Sequence, residues 1–92
     1  MAKEQKSGRR LILADGTTFE NADAGYADGT LGLYLHGRTM MEVLPVVTDA
    51  EKMEEITYEY GEDSITYTGY TEVTTILNRE AECYVGLRKA VV

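Results

Sequence analysis

Leu31, Leu33 and Leu35 alternate with Thr30, Gly32, Tyr34 and His36. A period of two puts the leucines on one face of a strand, whereas a helix would repeat its apolar positions every three to four residues. The same alternation returns as Ile56, Tyr58, Tyr60, as Ile65, Tyr67, Gly69, as Val73, Thr75, Leu77 and as Cys83, Val85, Leu87. Threonine and tyrosine dominate residues 56–84, and both suit a half-buried pleated surface. Asp15-Gly16 and Asp28-Gly29 are hairpin signals, because a type I′ turn needs two residues at positive φ. They place strands near 9–14, 17–23 and 30–36. Gly61-Glu62-Asp63-Ser64 supplies another turn, and the polar stretch 78–81 a further one.

Residues 39–47 break the pattern. Thr39 and Glu42 have the spacing of a capping box, and Met40, Met41, Val43, Leu44 and Val47 are too apolar for a surface loop. One short helix is expected, kinked or stopped by Pro45, which lies past the first turn. Asp49 reads as a fresh N-cap for a turn through Lys52. The order is β-β-β-α-β-β-β with room for an eighth short element. Short turns between strand runs imply antiparallel pairing. The fold class is mainly β (β-rich α+β): a small antiparallel sandwich or a partly closed barrel with one short helix. The halves are loosely alike, each with a tight hairpin, a Gly-Tyr pair (Gly25-Tyr26, Gly69-Tyr70) and a longer strand. Over so few positions chance explains this as well as duplication does.

A chain of 92 residues makes one domain with a thin core, which oligomerisation or docking would steady. Residues 1–8 read as a flexible basic leader to a single β-rich domain at 9–92. The net charge of −7 is uneven. Lys3, Lys6, Arg9 and Arg10 against Glu4 give residues 1–10 a balance of +3. Residues 11–63 hold twelve acids against Arg38 and Lys52, a balance of −10. Such a body repels a nucleic-acid backbone, which demands clustered Lys and Arg. The plain reading is solubility through excess acid; the sharper one is a basic arm docking on an acidic surface, such as another copy of the chain. No apolar run approaches the roughly 20 residues of a membrane helix, and no signal peptide is expected at the N-terminus.

The sequence carries no recognisable catalytic constellation. His36 is the single histidine and Cys83 the single cysteine, so neither a histidine pair nor an internal disulfide can form. Cys83 shares the apolar face of Val85 and Leu87 and reads as a small core hydrophobe. The acidic runs Asp49, Glu51, Glu54, Glu55 and Glu59, Glu62, Asp63 do not match a calcium loop, and the glycines form no phosphate-binding motif. No cofactor, metal or catalytic residue is assigned, and an enzyme is not expected. Seven tyrosines remain, with no tryptophan and one phenylalanine. Tyrosine joins an apolar ring to a polar tip and suits surfaces that become covered. Tyr58, Tyr60 and Tyr67 are expected near one another across their hairpin, either as an interface or as the core's rim. Met40 and Met41 at the helix start are further contact candidates. The candidate interface is therefore Lys3, Lys6, Arg9, Arg10, Met40, Met41, Tyr58, Tyr60, Tyr67 and Tyr70.

The segments Leu11–Phe19, Thr48–Met53, Ile56–Gly61 and Tyr67–Thr71, closing near Leu87-Arg88-Lys89, form a pattern over residues 10–89. A strand ends in Asp-Gly-Thr; a helix, an Asp-x-Glu-Lys turn, a tyrosine-rich hairpin and a closing strand follow. This resembles small uncharacterised β-rich proteins of tailed phages and prophages of Gram-positive bacteria. The resemblance implies a setting near virion structural or accessory genes, and no residue roles. The expectation is a virion-associated protein, held in the host cytoplasm before assembly, that binds virion proteins or its own copies as a homo-oligomer. The alternative is a stoichiometric antagonist of a host defence protein, its acidic region mimicking nucleic acid.

Overall fold

The computed structural model describes residues 8–91. Eight strands and two short helices follow in chain order: β1 (Arg9–Leu13), β2 (Thr18–Glu20), β3 (Ala22–Ala27), β4 (Thr30–His36), α1 (Met40–Val47), α2 (Ala50–Met53), β5 (Glu55–Tyr60), β6 (Asp63–Thr68), β7 (Glu72–Arg79) and β8 (Glu82–Arg88). They build two antiparallel four-stranded sheets, ordered β2-β1-β5-β6 and β3-β4-β8-β7. The arrangement is a small sandwich and not a closed barrel. Each half of the chain gives one hairpin to each sheet, so both orders are unchanged when β1–β4 are exchanged with β5–β8. The Gly-Tyr pairs do not occupy matching places, since Gly25 lies inside β3 and Gly69 precedes β7.

The expected strand 17–23 is two strands on different sheets. Asn21 stands between them at φ 57°, a left-handed conformation that asparagine tolerates better than most residues. Its carbonyl accepts from the His36 N–H at 3.2 Å, so the corner is tied to β4. The Asp28-Gly29 loop has both residues at positive φ, as a type I′ turn requires. Asp15-Gly16 differs. Only Gly16 is left-handed, the Leu13 N–H donates to Thr17 O at 2.8 Å, and the Gly16 N–H donates to Leu13 O at 2.9 Å. That is a three-residue loop, a turn followed by a glycine bulge.

The capping box forms: Thr39 Oγ1 accepts from the Glu42 N–H, and the Glu42 carboxylate accepts from the Thr39 N–H, each at 3.3 Å. The helix does not stop at Pro45 but runs on to Val47. Proline leaves the Met41 carbonyl without its helical donor, which is tolerable because Met41 is exposed and water can serve it. Asp49 caps α2 as expected, its carboxylate accepting from the Glu51 and Lys52 N–H groups.

The core joins Leu11, Leu13, Phe19, Ile56 and Tyr58 of the first sheet to Ala22, Leu31, Leu33, Leu35, Cys83, Val85 and Leu87 of the second. Val43, Val47 and Met53 come from the helical segment. Each of the larger side chains contributes about 1.5–3 kcal/mol by leaving water. Burial is concentrated in the inner strands: β4 and β8 each bury several apolar residues, while β6 and β7 bury none completely.

Candidate binding surface

The expected interface residues do not form one patch. Lys3 and Lys6 lie outside the described residues. Arg9 and Arg10 belong to β1 and are held by the body's own acids: Arg9 meets Asp23 at 3.0 Å and Arg10 meets Glu59 at 2.8 Å. Met40 is half-buried and Met41 exposed. Tyr58, read either as interface or as the core's rim, is 9% exposed and belongs to the core, with the fully buried Leu11 as its register partner on β1. The tyrosines separate into three groups. Tyr60 stacks on Tyr58 at 5.0 Å between ring centres. Tyr67 does not join them: it stacks on Tyr26 of β3 at 6.4 Å, with Tyr70 edge-on to both. Tyr34 and Tyr84 form the third group.

Asp23 is the polar hub of the sandwich edge. It accepts hydrogen bonds from the Tyr58 hydroxyl at 2.9 Å and from Arg9 at 3.0 Å, and lies 3.1 Å from His36 Nε2. Partial burial pushes its carboxyl up, but the bonds from Tyr58, His36 and Arg9 together hold it below the usual carboxylate range. Burial and the bonded Asp23 charge raise the Tyr58 hydroxyl to about 12, so it stays protonated and donates. His36 Nδ1 stands 3.6 Å from Glu82 across the β4–β8 pair, so the imidazole bridges two carboxylates. The three acidic and imidazole groups are thus occupied with one another, with Arg9 and with Tyr58. No group of three or more converging metal ligands exists among the described residues. Cys83 is fully buried and burial raises its thiol, which suits packing better than nucleophilic chemistry.

The outer face of the second sheet has a different character. Register places Asp23, Tyr34, Tyr84 and Leu77 in one row across all four strands. The next row is Gly25, Gly32, Gly86 and Thr75. Three glycines side by side remove the side chains that would roof the sheet. Tyr84 leans into the space: a methyl on Gly32 would meet its ring at 2.9 Å. Tyr34 packs against Tyr84 with ring centres 4.9 Å apart and planes inclined by 51°. Beside them opens a pocket of about 260 Å³, lined by Tyr34, Leu77, Arg79, Glu82 and Tyr84. Tyr34 and Leu77 are 38% and 45% exposed. Arg79 forms no ion pair with another described residue, and this face brings aromatic surface, an aliphatic side chain and a guanidinium together.

Sequence reasoning missed this surface, although a signal existed. Read backwards, Leu87-Gly86-Val85-Tyr84-Cys83 of β8 repeats the pattern of Leu31-Gly32-Leu33-Tyr34-Leu35 in β4. Matched in antiparallel register, the two strings pair glycine with glycine and tyrosine with tyrosine.

No family model, curated protein or solved structure matches the chain.

Proposed function

We propose that the chain is a protein-binding module that works stoichiometrically, in the setting of a virion-associated structural or accessory protein. The observation that carries the reading is the outer face of the second sheet. Tyr34 and Leu77 stand exposed and Tyr84 half-buried beside a glycine row, with Arg79 and Glu82 at the margin. Rigid aromatic rings with polar tips, next to backbone that a partner can approach closely, are the usual material of protein contacts. The resemblance to phage and prophage proteins supplies the setting. Purified particles from producing cells test it: mass spectrometry should find the chain at a stoichiometry comparable with other minor virion proteins. Its absence from particles overturns the virion reading.

One observation favours the alternative of a host-defence antagonist. Asp15, Asp23, Glu20, Glu42 and Glu59 are paired with the chain's own cations, but Glu51, Glu54, Glu55, Glu62 and Asp63 form no ion pair with another described residue. They leave exposed negative charge of the kind a nucleic-acid-binding protein attracts. That reading requires binding to a basic host protein that weakens steeply with salt. Tight binding that persists in high salt excludes charge mimicry.

A further inference from the structure

The four outer strands are not equally defended against another chain. An edge strand presents unpaired N–H and C=O groups, and proteins blunt such edges with short length, bulges, lysine or proline. Among the described residues, β2 is three residues long. The edge of β3 carries the Asp23 hub and places Tyr26 against Tyr67 of the other sheet and Tyr70 of the β6–β7 connection. A register shift between Val73 and Thr75 breaks β7, which is charged at both ends by Glu72 and Arg79. None of these devices protects β6. It pairs with β5 without interruption from Asp63 to Thr68, and residues 64–69 contain no charge, proline or lysine.

The hairpin fixes which groups are free. Tyr60 pairs with Asp63 around the two-residue loop Gly61-Glu62, so the closing pair is hydrogen-bonded and bonded pairs alternate from there. Ser64, Thr66 and Thr68 consequently direct their N–H and C=O groups away from β5. Ile65 and Tyr67 lie between them, on the face that carries the core residues Ile56 and Tyr58. Ile65 is 42% exposed.

We propose that β6 pairs antiparallel with β6 of a second copy about a two-fold axis through Thr66, joining two four-stranded sheets into one of eight. The proposal rests on the reading of the chain as an assembling protein and names its partner. Free backbone groups can meet free backbone groups only in registers that place Ser64, Thr66 and Thr68 opposite one another. Centring on Thr66 uses all three. The same register sets Ile65 against Tyr67 of the other copy, twice, so each half-exposed isoleucine gains an aromatic cover. The strand is therefore self-complementary, which a two-fold contact demands.

Charge agrees. A chain of net charge −7 repels its copy, so contact belongs where charge is absent. In this register Asp63 faces Gly69 of the other copy. The two Asp63 residues stand at opposite ends of the paired ribbon, about 20 Å apart at the usual strand rise, beyond the roughly 8 Å screening length of physiological salt.

Sedimentation of the full chain over a concentration series, beside Thr66→Lys and Thr66→Pro, tests the pairing. Lysine places like charges together on the axis. Proline removes a backbone donor that points away from β5, together with the exposed Thr66 hydroxyl contact to Thr57 at 3.2 Å, and keeps the backbone ladder of the hairpin. The wild type should be a dimer. Both variants should dissociate at least tenfold more readily with unchanged far-UV circular dichroism. A monomeric wild type, or variants that dimerise as it does, overturns the proposal. A mixture of Ile65→Cys and Tyr67→Cys proteins gives a second readout: oxidation should link them as a mixed dimer, and failure to link also overturns it. Oligomeric state is measured independently of particle incorporation, so loss of this contact and loss of the proposed function are told apart.

Discussion

β4 and β7 both belong to the second sheet and are separated only by β8, yet they are built on different terms. In β4, Leu31, Leu33 and Leu35 are nearly inaccessible, and the strand is held by apolar burial on one face. In β7, Thr74, Thr75 and Leu77 are exposed and only Val73 and Ile76 approach the core, so the strand is held chiefly by its ladder to β8. The first sheet repeats the contrast between β5, with Ile56 and Tyr58 buried, and β6, with Ile65 exposed. The inner strands make the domain stable, and the outer strands are freer to answer to a partner.

Substitution sharpens that division, and the largest effect belongs inside. Leu33→Ala should cost about 2–5 kcal/mol in a denaturant titration, because it empties a fully enclosed site between the sheets. Ile65→Ala should cost under about 1 kcal/mol in the monomer, since half-exposed methyl groups lose little on removal. Equal costs at these positions would break the comparison.

Gly32→Ala comes next. It forces Tyr84 off the glycine row and should cost about 1–2 kcal/mol in denaturant, while changing near-ultraviolet tyrosine dichroism. Asp23→Asn should cost about 1 kcal/mol at neutral pH. The sign follows from a carboxyl held below its ordinary value by Tyr58, His36 and Arg9. Its stabilisation is present above the unfolded value of about 4 and is lost as pH falls through the folded value. The gap between wild type and Asp23→Asn should therefore close in acid, which thermal melts at neutral pH and at about pH 2 would measure. The smallest effect is a gain. Ala81, at φ 66° in the β7–β8 turn, occupies a backbone region that glycine enters without penalty. Ala81→Gly should stabilise by up to about 1 kcal/mol, the relieved strain being offset in part by the freer unfolded chain.

The same division explains how much of the molecule was legible in the sequence. Where side chains alternate between core and solvent, the pattern is written residue by residue, so β4, β5 and β8 were readable, as were the capping box at Thr39 and the cap at Asp49. The β2–β3 corner was not, because one asparagine in a left-handed conformation redirects the chain without altering the apolar pattern. The tyrosines misled for a related reason. Tyr58 and Tyr60 look alike in sequence, but the core is decided by what stands across the sheet, and Leu11 opposite Tyr58 draws that ring inward. The Tyr34–Tyr84 surface depended on pairing between strands separated by the helical segment and three further strands. Its reversed pattern becomes meaningful only when the two strands are laid side by side.

The central claim is that the outer face of the second sheet binds protein. Particles assembled in cells that supply either the wild-type chain or a Tyr34→Ala, Leu77→Asp double variant test it most directly. Both residues are exposed, so the variant should fold with unchanged far-ultraviolet circular dichroism, losing about 0.5–1.5 kcal/mol with the Tyr34–Tyr84 ring contact. The account predicts that the wild type is retained in purified particles and the folded double variant is lost from them by tenfold or more. Equal retention of the two, or absence of both, would contradict it.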